Sequence, residues 1–458
     1  MSAALFDAFL GTQEMDAVFD DGAVLAAMLR FEAALAHAQA RHGLVPERAA
    51  RAIAAACNAP LYDVPALVQA SRRAGSLAIP LVKELTRTVA AQDKEAAHFV
   101  HVGATSQDVI DTAMVLVTRD ALALLDTGLD TLTGTLLALV ERHVDTPILA
   151  RTLMQPAQVT SFGLKVAGWT APLLRSRVQL HAAGARALQL QLGGAVGTLS
   201  GMGGHGQAVA RDMAGDLGLG CPDGAWHTQR DEWVRLGLEV AVLVGSLGKI
   251  AIDLALLAQG EIGEVAEPSG PGRGGSSAMP HKRNPVAAMV ALAAAQRAPH
   301  RAAALLGAMG QQHERGLGNW QAELAEWPGL FIGTHGALAA LNEALAALAV
   351  HPARMRANID AQHGMVFAEA LAGYLAGFIG KPAAHAMVEQ FARDAVAQQR
   401  DLSAAGLAAV DGDLLLRGKV DRRTWHALFD PVTAAAPAAA LARRQLQALR
   451  QLQHKDAA

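Results

Sequence analysis

Residues 275–285 read Gly275-Ser276-Ser277-Ala278-Met279-Pro280-His281-Lys282-Arg283-Asn284-Pro285. The preceding run, Pro268-Ser269-Gly270-Pro271-Gly272-Arg273-Gly274, is too rich in glycine and proline for a rigid element. Together they predict a mobile loop over 268–285 that presents hydroxyls, a lysine and an amide, as a closing active-site lid does. Composition alone leaves an equal alternative, a solvated linker whose cations only keep it soluble.

The rest of the chain is typical of a large helical protein. Of its 458 residues, 52% are hydrophobic and 4% are aromatic, which favours packed helices over a sandwich or barrel. Apolar residues recur at helical spacing from Val24 to Ala38, which predicts an early helix. Gly43 and Pro46 are expected to end it. Longer helical patterns cover residues 107–143, 158–192, 231–258, 285–309 and 323–350. Helices of such length usually associate into bundles, often across subunits.

Glycine-rich breaks and a change in helix length suggest three domains. We expect an N-terminal helical domain over residues 1–110 and a central bundle of long helices over 111–350, which includes the loop 268–285. Shorter, alanine-rich helices then predict a C-terminal helical domain over 351–458. The apolar faces of the long helices exceed what one subunit can cover, which predicts a homotetramer.

Composition also excludes several classes of partner. The net charge of −3 provides no overall basic field for nucleic acid or an anionic membrane. The two cysteines, Cys57 and Cys221, are too few for a disulfide framework or a thiolate metal site. The most apolar stretch, 236–257, contains Lys249 and Asp253, which a membrane span would accommodate poorly. We therefore expect a cytoplasmic protein that uses no metal, no cofactor, no nucleic acid and no membrane.

Two further motifs stand at predicted helix starts. The first is His101-Val102-Gly103-Ala104-Thr105-Ser106-Gln107-Asp108, where hydroxyls and N–H groups at a helix start form a ready carboxylate site. The second is His227-Thr228-Gln229-Arg230-Asp231. An ordinary helix cap is the alternative for both, and by itself the second motif is weak.

These motifs resemble those of the fumarase/aspartase superfamily. The segment 275–285 matches the signature Gly-Ser-Ser-x-Met-Pro-x-Lys-x-Asn-Pro at every fixed position, and 227–231 is similar to a segment of adenylosuccinate lyases and their cycloisomerase relatives. The resemblance implies an all-α, three-domain fold in which a central bundle of long helices forms the core of a tetramer. It also implies that motif regions from different subunits assemble each active site.

The resemblance implies a role for each matching residue. Ser277 transfers the proton to or from the carbon next to a carboxylate, and Lys282 is the best candidate to activate this serine. His101 faces the same site. The substrate would be bound by Thr105, Ser106, Gln155, Gln229, Arg230, Ser276, Met279, Asn284 and Arg315, with Arg151 as a further cation.

Leu153 is the informative departure from the superfamily pattern. The lyases read Gly-Arg-Thr-His-x-Gln-x-Ala where this chain has Arg151-Thr152-Leu153-Met154-Gln155-Pro156-Ala157, and their histidine is the general acid for the leaving group. Leucine cannot donate a proton, whereas a departing carboxylate, with a pKa of roughly 4, needs none. The change favours lactonisation of a muconate, in which an internal carboxylate adds to the alkene and Ser277 delivers the proton.

The whole chain looks like the bacterial 3-carboxy-cis,cis-muconate cycloisomerases, isomerases of protocatechuate degradation in the β-ketoadipate pathway of aromatic-compound catabolism. The similar segments include Phe31-Glu32-Ala33-Ala34-Leu35-Ala36, Ala78-Ile79-Pro80-Leu81-Val82-Lys83 and His313-Glu314-Arg315. The resemblance implies a small tricarboxylate substrate, although those enzymes usually have tryptophan at position 153. Two alternatives stay open. One is an adenylosuccinate lyase-like C–N lyase, which would have histidine at 153; the other is a non-catalytic structural protein, as lens crystallins of this superfamily are.

Overall fold

The computed structural model describes residues 7–270, 274–275, 279 and 281–456, without the side chains of 454–456. The described part is mostly helical, which confirms the predicted all-α class. Its α-helices are α1 Gln13–Val18, α2 Asp21–Arg41, α3 Glu47–Ala56, α4 Val64–Ala74, α5 Ala78–Gln92, α6 Ser106–Arg142, α7 Phe162–Ala187, α8 Gly206–Leu217, α9 Asp231–Ala258, α10 Val286–Ala308, α11 Asn319–Ala346, α12 Pro352–Asp360, α13 Ala368–Ile379, α14 Lys381–Ala397, α15 Leu402–Gly412, α16 Arg422–Leu428 and α17 Pro431–Asp456. The strands are β1 Pro147–Thr152, β2 Gln155–Ser161, β3 Val265–Ala266 and β4 Ala349–Val350.

The predicted long helices are confirmed, with corrections at some of their ends. Residues 188–192 lie beyond the end of α7, and residues 347–350 lie beyond the end of α11, where 349–350 form β4. Helix α2 ends just before Gly43, whose φ of 70° is the left-handed conformation that stops a helix. Residues 158–161, predicted as helix, instead belong to β2, which pairs with β1 as an antiparallel hairpin. The turn residues Leu153 and Met154 have φ of 50° and 64°. Two-residue hairpin turns with positive φ favour glycine or asparagine, so Leu-Met carried no turn signal in the sequence.

The described chain divides into two compact units. The described residues within 7–129, 175–248 and 290–339 form unit 1, and those within 130–174, 249–289 and 340–456 form unit 2. The unit boundaries fall within five long helices, α6, α7, α9, α10 and α11. The three-domain division suggested by the sequence stays a prediction.

Aromatic side chains fix the packing of α9 on α11 in unit 1. Trp233 and Trp327 stack with ring centroids 4.0 Å apart, and Phe331 lies 5.4 Å beyond Trp327. The indole N–H of Trp327 donates to the hydroxyl of Thr118 on α6 at 2.8 Å. A buried indole therefore packs against two helices and still satisfies its one polar group.

The C-terminal part of unit 2 has its own core. Trp425 is fully buried, and its indole N–H donates to Ser403 at 2.9 Å. The cluster around it contains Leu371, Leu375, Ala384, Val388, Phe391, Leu402, Val410 and Leu416.

Two helices, α6 and α9, are long and apolar enough by length and composition to cross a membrane. Within the most apolar window of each, 44% and 50% of the residues are buried in the structure. Core helices pass the same test, so this is weak evidence for a span. The apolar stretch 236–257, with Lys249 and Asp253 inside it, lies within α9.

The carboxylate of Asp108, on the first turn of α6, joins three separate segments of unit 1. One oxygen accepts from Gly193 N at 3.0 Å and from His227 Nε2 at 2.7 Å. The other accepts from Gly194 N at 2.9 Å and from Thr105 N at 3.0 Å. The side chain is completely buried. One acidic residue therefore positions two segments against the start of α6: the glycine loop, which contains Gly193 and Gly194, and the segment before α9.

Glycine is required where the backbones of these segments meet. Gly194 has a φ of +71°, and a Cβ there would lie 2.9 Å from the carbonyl oxygen of Gly103. A Cβ on Gly201 would lie 2.8 Å from the Cα of Gly103. Gly194 and Gly201 are therefore packed directly against the backbone of the loop that leads into α6.

We expect Asp108→Asn to lower the free energy of unfolding by about 3 kcal/mol or more, because the amide nitrogen would face N–H donors and leave them unpaired. Chemical denaturation measures the change. Asp212→Asn is the control, since this carboxylate pairs with Arg41 and His42 at the surface, and its loss should cost less than about 1 kcal/mol. Equal effects of the two substitutions would contradict the role assigned to Asp108.

Candidate active site

The start of α6 presents two side-chain hydroxyls, those of Thr105 and Ser106. Asp108 accepts from the backbone N–H of Thr105, an arrangement that fixes the first turn. The hydroxyls of Thr105 and Ser106 make no hydrogen bond with any residue that the structure describes. Because the N-terminus of a helix carries partial positive charge, hydroxyls there suit a carboxylate. The role of Thr105 and Ser106 in binding a carboxylate stays a prediction, with which these free hydroxyls agree.

His101 lies in the loop that leads into α6. Its Nδ1 is 2.7 Å from Oε1 of Glu32, a fully buried carboxylate on α2. Burial by itself lowers the pKa of His101, but the charge of Glu32, their hydrogen bond and the charge of Asp108 outweigh it, so the pKa is raised. No motif or spacing in the sequence indicates that Glu32 and His101 pair.

Arg230 is placed in the interior of unit 1. It is only 2% exposed, and its guanidinium donates four hydrogen bonds to the carboxylates of Asp111 and Glu323. Burial lowers the pKa of Arg230, yet the two carboxylates outweigh this and raise it. Its Cζ also lies 4.5 Å from the centre of the Trp226 ring. The substrate-binding role of Arg230 stays a prediction, and these contacts speak against it, because its charge is already compensated.

Arg315 differs from Arg230 in having no carboxylate partner in the described chain. One Nη donates to Oε1 of Gln107 at 3.0 Å, and the other donates to the carbonyl oxygen of Ala195 at 2.8 Å. Gln107 directly follows Ser106, so Arg315 lies beside the start of α6. A half-buried, uncompensated guanidinium at this place can attract an anionic ligand. Gln229, the remaining predicted residue of unit 1, is exposed.

The described ends of the predicted lid are joined in unit 2. Asn284 N donates to the carbonyl oxygen of Gly274 at 2.8 Å, and Gly275 pairs with Arg283. The carboxylate of Glu267 accepts from two backbone N–H groups in the first turn of α10, at 3.0 Å each. Gly274 and Gly275 on one side of the loop therefore pair with Asn284 and Arg283 on the other side, just before the N-terminus of α10.

The predicted lid residues are only partly described. Ser276 and Ser277 lie outside the described residues. Met279, Lys282 and Asn284 are exposed in unit 2. Their contacts with substrate stay predictions.

The hairpin of unit 2 contains the last predicted residues. Arg151 pairs with the fully buried carboxylate of Glu264, at 2.8 and 3.0 Å, so its charge is compensated. Gln155 is exposed at the start of β2, and Leu153 at the turn is 97% exposed. Within a single chain Leu153 therefore faces outward.

Known proteins resemble this chain over most of its length. The sequence pattern of the lyase family matches residues 7–299. The 3-carboxy-cis,cis-muconate cycloisomerase of Pseudomonas aeruginosa is 50% identical over 400 residues, which are 87% of each chain. The nitrosuccinate lyase of Streptomyces davaonensis is 42% identical over 83% of this chain and 82% of its own. The crystal structure of the 3-carboxy-cis,cis-muconate lactonizing enzyme of Pseudomonas putida superposes with a TM-score of 0.92, at 40% identity, over 99% of this chain and 100% of that chain. The chain therefore belongs to the lyase family of the fumarase/aspartase superfamily.

Proposed function

We propose that this protein is a cycloisomerase that catalyses the reversible lactonisation of 3-carboxy-cis,cis-muconate to 4-carboxymuconolactone, a step of protocatechuate degradation. The observation that carries the proposal is the 50% identity with the P. aeruginosa cycloisomerase over 87% of both chains. Its substrate is then a small tricarboxylate, and its expected location is the cytoplasm.

The proposed chemistry needs one proton and several positive groups. A carboxylate oxygen of the substrate forms a C–O bond to one alkene carbon, and the neighbouring carbon takes a proton from the hydroxyl of Ser277. Lys282 stabilises the serine oxygen, and Ser276, Met279 and Asn284 complete the lid. The intermediate carries extra negative charge next to a carboxylate, so preorganised donors lower the barrier.

The described charges support an anionic substrate. Arg315 and Lys282 have no carboxylate partner in the described chain, and the pKa of His101 is raised. Arg230 and Arg151, by contrast, are each paired with buried carboxylates. We therefore assign the substrate carboxylates to Arg315, Lys282, His101 and the hydroxyls of Thr105 and Ser106, with Gln155 and Gln229 as supporting amides.

We expect Ser277→Ala to reduce turnover roughly a hundredfold or more while substrate still binds, since an acid/base group is lost and the cations remain. The assay follows muconate loss by ultraviolet absorbance and substrate binding by calorimetry. Ser269→Ala, in the same loop but outside the signature, is the control and should keep wild-type turnover. Activity of Ser277→Ala within a fewfold of wild type would move the proton transfer to another residue. Absence of muconate turnover in the wild-type protein would refute the proposed function.

A C–N lyase is the second candidate, because nitrosuccinate lyase is also a close relative. Leu153 argues against a lyase that expels an amine, since an amine nitrogen leaves poorly without a proton. It does not argue against a nitro group leaving as nitrite, because nitrite is a weak base, as a carboxylate is. Parallel assays with muconate, nitrosuccinate and adenylosuccinate therefore distinguish the candidates.

We expect Leu153→His to fold normally and to give no gain in cycloisomerase activity. Within a single chain the turn position is exposed, and it has a positive φ, which histidine tolerates better than most residues. A carboxylate nucleophile also needs no acid. Leu153→Trp, the residue usual in the resembling enzymes, is the matched variant and should also be tolerated. The measurements are thermal melting and the muconate assay. A severalfold rise in muconate turnover with histidine would contradict the argument from leaving-group basicity.

We also propose that the protein is a homotetramer. Its long helices expose large apolar side chains, namely Val242 (58%) and Ile252 (46%) on α9 and Met289 (53%) and Leu306 (49%) on α10. Apolar surface of this kind on central helices is typical of subunit interfaces. The active site would then combine motifs of different subunits.

Light scattering should give four times the chain mass of 47.6 kDa. Ile252→Glu should dissociate the assembly and abolish activity, because a charge would be buried in the interface. Val396→Glu is the control, since Val396 is 69% exposed on α14 and outside these helices; it should leave mass and activity unchanged. A fully active monomer would contradict the proposal.

A further inference from the structure

Glu32 is a buried carboxylate to which the sequence assigns no role. Its side chain is completely buried on α2, and Oε1 lies 2.7 Å from Nδ1 of His101. The second oxygen, Oε2, has no hydrogen-bond partner among the described residues. A buried carboxylate oxygen left without a donor costs stability. The residue is therefore poorly explained as a purely structural group.

The same helix holds the loop of His101 at a second point. Gln39, two helical turns after Glu32, donates its side-chain N–H to the carbonyl oxygen of Val102 at 2.7 Å. His101 itself has a φ of 60°, the left-handed region that non-glycine residues seldom occupy. Such backbone strain persists only where surrounding contacts impose it. Helix α2 thus fixes both the backbone and the ring of His101.

The pairing determines which ring nitrogen is left for a ligand. An ionised carboxylate can only accept a hydrogen bond, so Nδ1 of His101 carries the hydrogen. Nε2 makes no hydrogen bond with the described part of the chain, and the side chain of His101 is 17% exposed. Thr105 and Ser106, with their unpartnered hydroxyls, follow four and five residues later.

We propose that Glu32 is a positioning residue for the lactonisation: it holds His101 through Nδ1 as an imidazolium, so that Nε2–H is a charged donor to a carboxylate of the substrate. The role of Glu32 in turnover rests on the proposed function, whereas the protonation state of His101 does not depend on it. Glu32 acts through His101 and need not contact the substrate.

The charges around His101 determine the sign of the pH dependence. Glu32 faces it from α2 and Asp108 from the first turn of α6, and both raise the pKa of His101 against the effect of burial. Cys57, which follows α3 and faces Glu32, stays a neutral thiol because burial and the charge of Glu32 raise its pKa. The imidazolium is the active form, so activity is present below the pKa of His101 and is lost as the pH rises through it.

The first test is Glu32→Gln, which keeps the shape and removes the charge. The alkaline limb of the kcat/KM profile should move to lower pH by about one unit, because a partner of opposite charge typically shifts a pKa by one to three units. Glu32→Asp keeps the charge and should leave the alkaline limb close to its wild-type pH. Asp126→Asn is the matched control: Asp126 accepts from Nε2 of His181 at 2.7 Å outside the candidate site, and its loss should leave the limb in place.

The second test needs no turnover. In protein labelled with 13Cε1-histidine, with the His101 signal assigned by His101→Asn, the wild-type His101 should titrate above the ordinary value of 6.5, and Glu32→Gln should lower it. A wild-type titration at or below 6.5 would overturn the proposal even if Glu32→Gln fails to fold. Reduced stability of Glu32→Gln with an unchanged titration and pH profile would also overturn it. A shifted His101 in a protein that does not turn over muconate would support the pairing and refute only the proposed reaction.

Discussion

Four hydrogen bonds to one buried carboxylate, that of Asp108, determine how the segments around the start of α6 lie. Each oxygen of a carboxylate can accept two hydrogen bonds, so the four donors fill its capacity. The donors are the backbone N–H groups of Gly193 and Gly194, the ring of His227 and the backbone N–H of Thr105, the residue just before the helix. Because the interior is of low polarity, loss of any donor would leave charge unsatisfied, which keeps the three segments in a single arrangement. The same anchoring holds Thr105 and Ser106, the residues proposed to bind a carboxylate, at the start of α6.

The structure separates the cations of the chain into two groups by their partners. A guanidinium taken out of water needs carboxylates nearby, and Arg230 has two of them within its hydrogen-bonding shell. Arg315 is held instead by a side-chain amide and backbone carbonyl oxygens, which orient it without cancelling its charge. An anionic substrate is attracted by net charge, so the second kind of environment suits binding. The paired environment of Arg230 instead joins the start of α9 to Asp111 on α6 and Glu323 on α11.

The turn at Leu153 and Met154 combines two features that a single chain does not favour. Positive φ at two consecutive non-glycine residues is strained, at a cost of order 1–3 kcal/mol each, and Leu153 is almost fully exposed. The strands on either side determine the conformation, with Arg151 fixed to Glu264 at the base of the turn. An apolar, strained tip of this kind is expected where another surface covers it. The proposed tetramer provides such a surface.

The sequence by itself determined the helical fold class, the bounds of most long helices and the lyase family, because helical periodicity and signature motifs are local properties of a contiguous string. It also identified Thr105, Ser106 and Arg315 as candidates for binding an anion. Only the tertiary structure decided which charged groups are paired: Glu32 and His101 are 69 residues apart, and Arg230 and Asp111 are 119 apart. The hairpin of β1 and β2 likewise depends on contacts that impose positive φ on residues with no turn propensity. Such pairings arise from the packing of distant helices and loops, and no local pattern in the chain encodes them.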